Sequence, residues 1–247
     1  MLPIVYQDRE LVCIHKPPGL LVHRTNLDRH ETRFAVQLLR DQIGQRVYPV
    51  HRLDKGTSGL LLFALSPEVA KRLTGEFAEG RVDKRYLAVV RGHPEESGTI
   101  DHPLARTADD YVDTSAEGDA AKPAVTLYRR LATCELPIAV DRYPSSRYAL
   151  LELNPLTGRR HQIRRHLKHI SHPVIGDATY GKGRHNRMFQ ERLDCHRLLL
   201  ACAAMTFTHP VSGQPLALNG PLADDFAILM KRLDWFEALP PQWRPEA

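Results

Sequence analysis

In the first third of the chain, apolar residues form short continuous runs and then recur at helical spacing. Short β-type runs stand at 4–6 and 11–14. From Phe34 to Ile43 the apolar positions recur at helical spacing, which predicts a helix, and Gly44 marks its end. The pattern therefore predicts two strands followed by a helix.

A second helix carries stronger local signals. Ser66 is a favourable N-cap, Pro67 suits the first helical position, and Gly80 stops the helix. The apolar positions from Phe226 to Phe236 predict an amphipathic helix near the C-terminus. Further strands are predicted at 82–91, 124–133 and 147–153.

The order of these elements indicates the fold class. Helices and strands are mixed without regular βαβ alternation, so we expect an α/β (α+β) fold with a mixed, largely antiparallel sheet. At 247 residues, we expect a single domain of two subdomains over 1–247. The small, acidic stretch 107–122 is predicted to be a mobile loop, and the Pro-rich end, 238–247, a frayed tail.

The composition and charge exclude few classes of protein. With 43% hydrophobic and 26% charged residues the chain is typical of a globular protein, and no apolar run reaches the ~18 residues of a membrane helix. A net charge of +5 favours polyanionic partners. The cysteines form no C-x-x-C pair, and we expect reduced thiols in a cytoplasmic protein: Cys13, Cys134, Cys195 and Cys202.

One carboxylate stands in a Gly-rich turn between two apolar segments, in "VYPVHRLDKGTSGLLLFALS" (47–66). Asp54 lies close to Arg52 and Lys55, and nearby positive charge keeps a carboxylate ionised. An ionised, partly desolvated carboxylate can act as a nucleophile or a base. The alternative is that Asp54 only caps the turn, as Asp often does next to Gly, Ser and Thr.

A basic segment follows later in the chain. No acidic residue stands between Glu152 and Asp177, and the interval holds five cations: Arg159, Arg160, Arg164, Arg165 and Lys168. Such a segment suits contacts with phosphate groups. In a helix, Arg160 and Arg164 would share one face. The alternative is a solvated helical face, although exposed helices usually mix both signs of charge.

Two patterns resemble ligand sites without completing one. His166, His169 and His172 would need further ligands to hold a metal ion, and the surrounding cations would repel a divalent ion. The stretch "GDATYGKG" (176–183) is close to a phosphate-binding loop, but Gly183 stands where a magnesium-binding hydroxyl is needed. We therefore expect an ordinary loop there.

Tyr86 lies in the predicted strand 82–91, in phase with Ala88 and Val90. A buried core tyrosine is the ordinary interpretation of this pattern. The alternative is a platform on which a flipped base stacks.

Five stretches resemble the motifs of RluA-type pseudouridine synthases and occur in the family's order. They are "KPPGLLVH" (16–23), "HRLDKGTSGLLLFA" (51–64), "KRYLAVVRG" (84–92), "LTGRRHQIRRHL" (156–167) and "HPVIGDATYG" (172–181). The resemblance covers about 4–215 of the chain. Three stretches are most similar to a branch of the family that acts on uridine-65, in the T stem of tRNA: "VHRTNLD" (22–28), "RYPSSRY" (142–148) and "GKGRHN" (181–186).

The resemblance implies a pseudouridine synthase fold with a basic catalytic cleft across the sheet. In this reaction the uracil N1–C1′ bond breaks, the base turns, and it rejoins the ribose through C5. Asp54 is the implied catalytic carboxylate, which attacks C1′ or deprotonates C2′. Tyr86 is implied to stack on the uracil and to help remove the C5 proton. Arg164 is implied to pair with Asp54 and to hold it ionised.

The resemblance also implies the partners. No cofactor and no metal are implied, because the isomerisation needs neither redox chemistry nor energy. The implied partner is tRNA, with no membrane and no protein partner, and we expect a monomer without a separate N-terminal RNA-binding domain. Arg52 is expected to enter the space that the flipped nucleotide leaves. Other residues expected to contact RNA are His51, Thr57, Arg159, Arg160, Arg165 and Lys168.

Other functions stay open at this point. A synthase of this type could act on another tRNA or rRNA uridine. A non-catalytic RNA-binding protein could share the fold, although it could have lost Asp54, Tyr86 and Arg164 freely. A histidine-rich, metal-dependent nuclease would hold a metal ion and would be sensitive to chelators.

Overall fold

A ten-stranded sheet forms the centre of the computed structural model, which describes residues 1–24, 30–105 and 120–244. The strands are β1 (Ile4–Gln7), β2 (Leu11–Lys16), β3 (Tyr48–Pro49), β4 (Ser58–Ala64), β5 (Asp83–Arg91), β6 (Ser97–Asp101), β7 (Val125–Leu136), β8 (Ser146–Pro155), β9 (Leu200–Thr208) and β10 (Pro215–Asn219). The helices are α1 (Ala35–Ile43), α2 (Pro67–Ala78), α3 (Gln162–His169), α4 (Gly183–Leu193) and α5 (Asp224–Arg232), and two short 3₁₀ turns follow at Phe236–Ala238 and Pro241–Trp243.

The strand order across the sheet is β1-β2-β4-β9-β5-β8-β7-β6, with β3 beside β4 and β10 beside β9. Among the described strands, every neighbouring pair is antiparallel except β4 and β9. These two run parallel where Ser58 faces Ala201 and Gly59 faces Cys202. The predicted α/β fold with a mixed, largely antiparallel sheet is confirmed.

Both faces of the sheet are buried, because helices pack on each of them. Along β5, Tyr86 and Val90 belong to a first core, together with residues of α1, α2 and α3. The alternate residues, Leu87 and Val89, belong to a second core, together with residues of α4 and α5. Side chains along a strand alternate in direction, so one apolar strand serves both cores. Leu53, in the turn after β3, also belongs to the first core.

The predicted end of α1 and the predicted start of α2 are confirmed. Gly44 follows α1 in the left-handed conformation, with φ 66°, which glycine adopts at no steric cost. The side chain of Ser66 accepts a hydrogen bond of 3.2 Å from the backbone N–H of Val69, and Pro67 is the first residue of α2. Such signals are readable because both partners lie within a few residues of each other.

The C-terminal tail is packed rather than frayed. Leu239 and Trp243 are 1% and 3% exposed, and both belong to the second core. The Trp243 indole N–H donates to the side chain of Asn219 at 3.2 Å, and its backbone carbonyl accepts from Leu222 at 3.0 Å. Burial of a large aromatic ring with its N–H satisfied outweighs the tendency of a Pro-rich end to fray. The predicted frayed tail is therefore wrong over 238–244, and 245–247 lie outside the described residues.

The predicted mobile loop, 107–122, lies outside the described residues except at its end. There Lys122 and Leu104 exchange two backbone hydrogen bonds, of 3.1 and 2.9 Å. The four cysteines all lie in described segments and are free thiols. Over the described ranges, no helix is both long and apolar enough to cross a membrane. The division into one domain of two subdomains stays a prediction.

Candidate active site

The turn between β3 and β4 directs the Asp54 carboxylate away from its own backbone. The N–H of Thr57 donates to the main-chain carbonyl of Asp54, at 3.1 Å. Oδ2 of Asp54 instead accepts a hydrogen bond from Nη1 of Arg164, at 3.0 Å. The Asp54 side chain is 20% exposed, so a ligand can reach it. A turn cap alone therefore does not account for the position of this carboxylate.

Gly59 brings β4 into close contact with β9. Its φ is +101°, and a Cβ atom there would overlap the backbone of Cys202. Only glycine permits so close an approach in this conformation. On the other side of β9, Cys202 faces Tyr86 of β5. The strand that follows the Asp54 turn and the strand that carries Tyr86 are therefore held on either side of one residue of β9.

Tyr86 is a core residue that also faces the candidate site. It is 9% exposed and belongs to the first core. Burial is the largest cause that raises the pKa of Tyr86 well above its usual value, and the hydrogen-bonded Cys202 thiol and the charge on Asp54 add to it. The phenol therefore keeps its proton in the free protein.

Arg164, in α3, holds two carboxylates at once. Its Nε and Nη2 donate to the two carboxylate oxygens of Asp177, at 2.7 and 2.8 Å, and its Nη1 donates to Asp54. Paired bonds of this kind fix the plane of the guanidinium group. Burial alone would lower the pKa of Arg164, but the two carboxylates raise it above its usual value. The expected contact between Arg164 and Asp54 is thus present, and Arg164 stays charged.

Asp177 is a site residue that the sequence analysis missed. Its side chain is 0% exposed, and its Oδ1 also accepts the backbone N–H groups of Thr179 and Tyr180, both at 2.9 Å. Burial alone would raise the pKa of Asp177, but hydrogen bonds from Arg164 and Tyr180 lower it overall. A local signal existed, because Asp often accepts N–H groups two and three residues later, and "DATYG" suits such a turn.

His161 and Tyr180 form the remaining side of the site. Nδ1 of His161 lies 3.1 Å from the Tyr180 hydroxyl, and its Nε2 lies 3.8 Å from Oδ1 of Asp54. The Arg164 guanidinium lies 5.1 Å from the centre of the Tyr180 ring. Burial lowers the pKa of His161 despite the opposing charge on Asp54, so the imidazole is neutral near pH 7. The sequence analysis singled out neither residue.

A buried lysine ties the Asp54 turn to the turn after β2. Lys16 is 0% exposed, and its Nζ donates to the carbonyls of Pro17, Leu20 and Lys55, at 2.9, 2.7 and 3.1 Å. These three carbonyls match the three N–H donors of an ammonium group. Burial lowers the pKa of Lys16 to about 7, and the charge on Asp54 acts in the opposite direction. The sequence analysis placed Lys16 in a motif but gave it no role.

The cations predicted to contact RNA lie at the surface. Five of them are exposed or half-buried: Arg52, Arg159, Arg160, Arg165 and Lys168. The prediction that Arg160 shares a helix face with Arg164 is wrong, because α3 begins at Gln162 and Arg160 precedes it. The five cations therefore come from two turns and from α3, not from one helical stripe.

Of the two other residues predicted to contact RNA, Thr57 is buried and His51 is half-buried. Thr57 is 2% exposed. His51 stacks on Phe77, with ring centres 4.6 Å apart, and its Nε2 accepts the backbone N–H of Leu62 at 3.0 Å. Burial lowers the pKa of His51 to about 3, so the ring is neutral. Both residues support the Asp54 turn from within the protein, which leaves them little surface for RNA.

The three histidines of the metal hypothesis each have a partner within the protein. His166 contacts the backbone carbonyl of His102 at 3.0 Å, and His172 contacts that of Arg91 at 2.8 Å. His169 stacks on the ring of His102, with centres 3.7 Å apart. Across the part of the chain that the structure describes, no group of three or more His, Cys, Asp or Glu side chains could hold a metal ion.

Comparison with known proteins identifies the family. Residues 10–169, more than half of the chain, match the family model for RNA pseudouridylate synthase. The chain belongs to the RNA pseudouridylate synthase family. Among curated relatives named tRNA pseudouridine synthase C, that of Vibrio cholerae is 48% identical over 240 residues, 97% of this chain and 98% of the relative. That of Salmonella typhi is 46% identical over 247 residues, 100% of this chain and 95% of the relative.

Solved structures of pseudouridylate synthases share the fold. Human RNA Pseudouridylate Synthase Domain Containing 1 superimposes with a TM-score of 0.69 at 26% identity, covering 100% of this chain and 97% of that chain. Human RNA Pseudouridylate Synthase Domain Containing 4 gives 0.68 at 26% identity, covering 94% and 93%. The predicted enzyme class, an isomerase of the pseudouridine synthase type, is confirmed.

Proposed function

We propose that this pseudouridine synthase acts on tRNA, at uridine-65 of the T stem, with Asp54 as the catalytic carboxylate. The proposal rests on the arrangement of Asp54, which has one oxygen bound by Arg164 and a side chain that is 20% exposed. The name of the curated relatives supports tRNA as the substrate. A cytoplasmic monomer that needs no cofactor and no metal ion is part of the same proposal.

The contact with Arg164 suits either mechanism open to Asp54. Whether Asp54 attacks C1′ or removes a proton from C2′, it must be ionised and must offer a free oxygen. Oδ2 accepts from Arg164, which leaves Oδ1 for the ribose. Because Asp177 binds two donors of Arg164, a third donor is directed at Asp54 before any substrate arrives.

Tyr86 suits a stacking platform better than a base. A phenol that keeps its proton is a hydrogen-bond donor and not a ready acceptor for the C5 proton. With 9% of Tyr86 exposed, the uracil would contact the small part of the ring that remains open. Removal of the C5 proton by Tyr86 would therefore require a change in its surroundings when RNA binds.

A uridine in a tRNA stem must leave its stack before a carboxylate can reach C1′. Arg52 is exposed, two residues before Asp54, and is proposed to fill the space that the nucleotide vacates. Exposed and half-buried cations near α3 are proposed to contact phosphate groups. They are Arg159, Arg160, Arg165 and Lys168.

The test is Asp54→Asn, assayed by mapping pseudouridine in tRNA after incubation with the purified protein. Asn keeps the size of the side chain and its capacity for hydrogen bonds, but it cannot serve as a carboxylate nucleophile or base. We expect pseudouridine formation to be lost, with tRNA affinity close to that of the wild type. Asp41→Asn, at an exposed position of α1, is the matched control and should keep full activity.

A folded Asp54→Asn protein that still forms pseudouridine would overturn the assignment of the catalytic carboxylate. The target is tested separately with the wild-type enzyme. Pseudouridine should appear at position 65 and should be absent when that uridine is replaced by cytidine. Modification of a different uridine would overturn the assignment of uridine-65 as the target. Binding to tRNA without any conversion would support the alternative of a non-catalytic RNA-binding protein.

A further inference from the structure

His161 and Asp54 present a hydrogen-bond donor and an acceptor to the same small space. Nε2 of His161 and Oδ1 of Asp54 are 3.8 Å apart, which is beyond hydrogen-bond distance. Oδ2 of Asp54 is bound to Arg164, so Oδ1 is the oxygen available to a substrate. A single atom placed between them can therefore contact both.

The hydroxyl of Tyr180 can complete the tautomer of His161 that carries its hydrogen on Nε2, which the negative charge of Asp54 favours. It lies 3.1 Å from Nδ1. Burial raises the pKa of Tyr180 above its usual value, so the hydroxyl keeps its proton and can donate it to Nδ1. A neutral imidazole that accepts at Nδ1 carries its hydrogen on Nε2, the nitrogen that faces the negative Asp54. Tyr180 is fixed in turn by its backbone N–H, which donates to the buried Asp177 at 2.9 Å.

The backbone of His161 is held in an uncommon conformation. Its φ of 52° and ψ of 23° lie in the left-handed region, where residues other than glycine are rare. His161 occupies the N-cap position of α3, yet its side chain makes no capping hydrogen bond. Such conformations persist where the surrounding structure holds a functional side chain in place. In this conformation the imidazole contacts Tyr180 and faces Asp54 instead of capping the helix.

We propose that His161 contacts the substrate, with Nε2–H donating to the 2′-hydroxyl of the target uridine and this hydroxyl donating to Oδ1 of Asp54. The inference rests on the proposed function, because it requires the ribose to lie at Asp54. The 2′-hydroxyl is bonded to C2′, next to C1′, so it adjoins either carbon on which Asp54 acts. It can accept and donate, whereas O4′ and uracil O2 only accept. His161 would thereby help the enzyme to distinguish ribose from deoxyribose.

The distance between the two protein atoms fits this arrangement. Two hydrogen bonds of about 2.8 Å that meet at one oxygen can span the 3.8 Å between Nε2 and Oδ1.

The test uses two tRNA substrates that differ only at the target uridine, which carries either a 2′-hydroxyl or a 2′-hydrogen. Equilibrium binding of both is measured with the wild type, His161→Gln and His161→Asn. We expect the wild type to bind the ribose form more tightly, by about 3–10-fold for each of the two hydrogen bonds. Gln places an amide nitrogen near the position of Nε2 and should keep most of this preference. Asn tolerates the left-handed backbone but is too short, so it should lose the part of the preference that the His161 bond supplies, while the bond to Asp54 remains.

Tyr180→Phe provides a second variant that leaves His161 itself unchanged. It removes the hydroxyl that can donate to Nδ1 of His161, and we expect the preference for ribose to fall below that of the wild type. An equal preference in the wild type, His161→Asn and Tyr180→Phe would overturn the contact, as would a wild type without any preference. The readout is a ratio of affinities and does not depend on conversion. Failure of the wild type to convert the ribose form would instead contradict the proposed function.

Discussion

Two carboxylates share Arg164, and their surroundings are opposite. On the side of the 176–182 loop, Asp177 is 0% exposed and accepts two hydrogen bonds from Arg164 and two from backbone N–H groups. On the side of the 51–57 turn, Asp54 is 20% exposed and accepts one hydrogen bond from Arg164. Arg164 therefore has two different roles toward its two partners. The saturated carboxylate fixes the cation, and the unsaturated one keeps an oxygen free to react.

The largest effect on stability is expected from Asp177→Asn. This change leaves the buried charge of Arg164 with Asp54 as its remaining carboxylate partner at the site, and breaking a buried ion pair from one side costs about 3–5 kcal/mol. Asp54→Asn leaves the Asp177 pair intact and should lower the free energy of unfolding by less than about 1 kcal/mol. Urea denaturation of both variants beside the wild type measures the contrast. Equal losses would show that the two sides of Arg164 do not differ in this way.

An intermediate effect should appear in acid, on the Asp177 side. The pKa of Asp177 is lowered in the folded protein. Its contribution to the free energy of unfolding is therefore complete above its unfolded pKa, about 3.9, and is lost as the pH falls through the folded pKa. The stability difference between the wild type and Asp177→Asn should be constant from about pH 5 to 7 and should shrink below about pH 4.

Urea denaturation at a series of pH values tests this expectation, with Asp54→Asn as the comparison. If the stability difference between the wild type and Asp177→Asn does not change with pH, Asp177 is not ionised in the folded protein.

A smaller effect, on binding alone, is expected from the cations outside the cluster. When Arg160 and Lys168 are both replaced by Ala, log K for tRNA should depend less steeply on log salt, by up to ~0.9 per lost phosphate contact. The control replaces Arg192 and Lys231 by Ala, which removes the same charge from helices of the second core. The control should leave the slope unchanged. If replacing Arg160 and Lys168 also leaves the slope unchanged, these two side chains do not contact phosphate groups.

No effect is expected from removing metal ions. Facing carboxylates often hold a divalent cation, but here a guanidinium lies between Asp54 and Asp177. Activity on folded tRNA should therefore survive exhaustive chelation. Loss of activity with EDTA that zinc or manganese restores, and magnesium does not, would contradict this expectation. Magnesium is excluded because it also folds the tRNA.

The parts of the fold that the sequence predicts rest on short-range signals. Ser66 and Pro67 begin α2 where predicted, because a cap and its N–H partner are close in the chain. Strand β9 was missed, since "LACAAMTFT" is rich in small residues of low β-propensity. It becomes a strand because its backbone fills the gap between β4 and β5.

The candidate site shows the same division between local and distant signals. Local patterns made Asp54 and Arg164 candidates, but their pairing came from the family resemblance alone, because the contact joins residues 110 apart. His161 was missed because its left-handed backbone has no local signature, and its neighbour Asp54 is distant in the chain. Lys16 looks like the polar end of an apolar strand, and its burial depends on the carbonyl of Lys55, 39 residues away.

The position of β9 has a consequence for the order in which the molecule becomes functional. β9 lies between β4 and β5 in the sheet, although it is among the last strands to be synthesised. Pairings between distant parts of a chain form late, because closing a long loop costs entropy. Until β9 has emerged, Asp54 and Tyr86 have no strand to hold them together. A growing chain therefore carries the cations of α3 before it carries an assembled site.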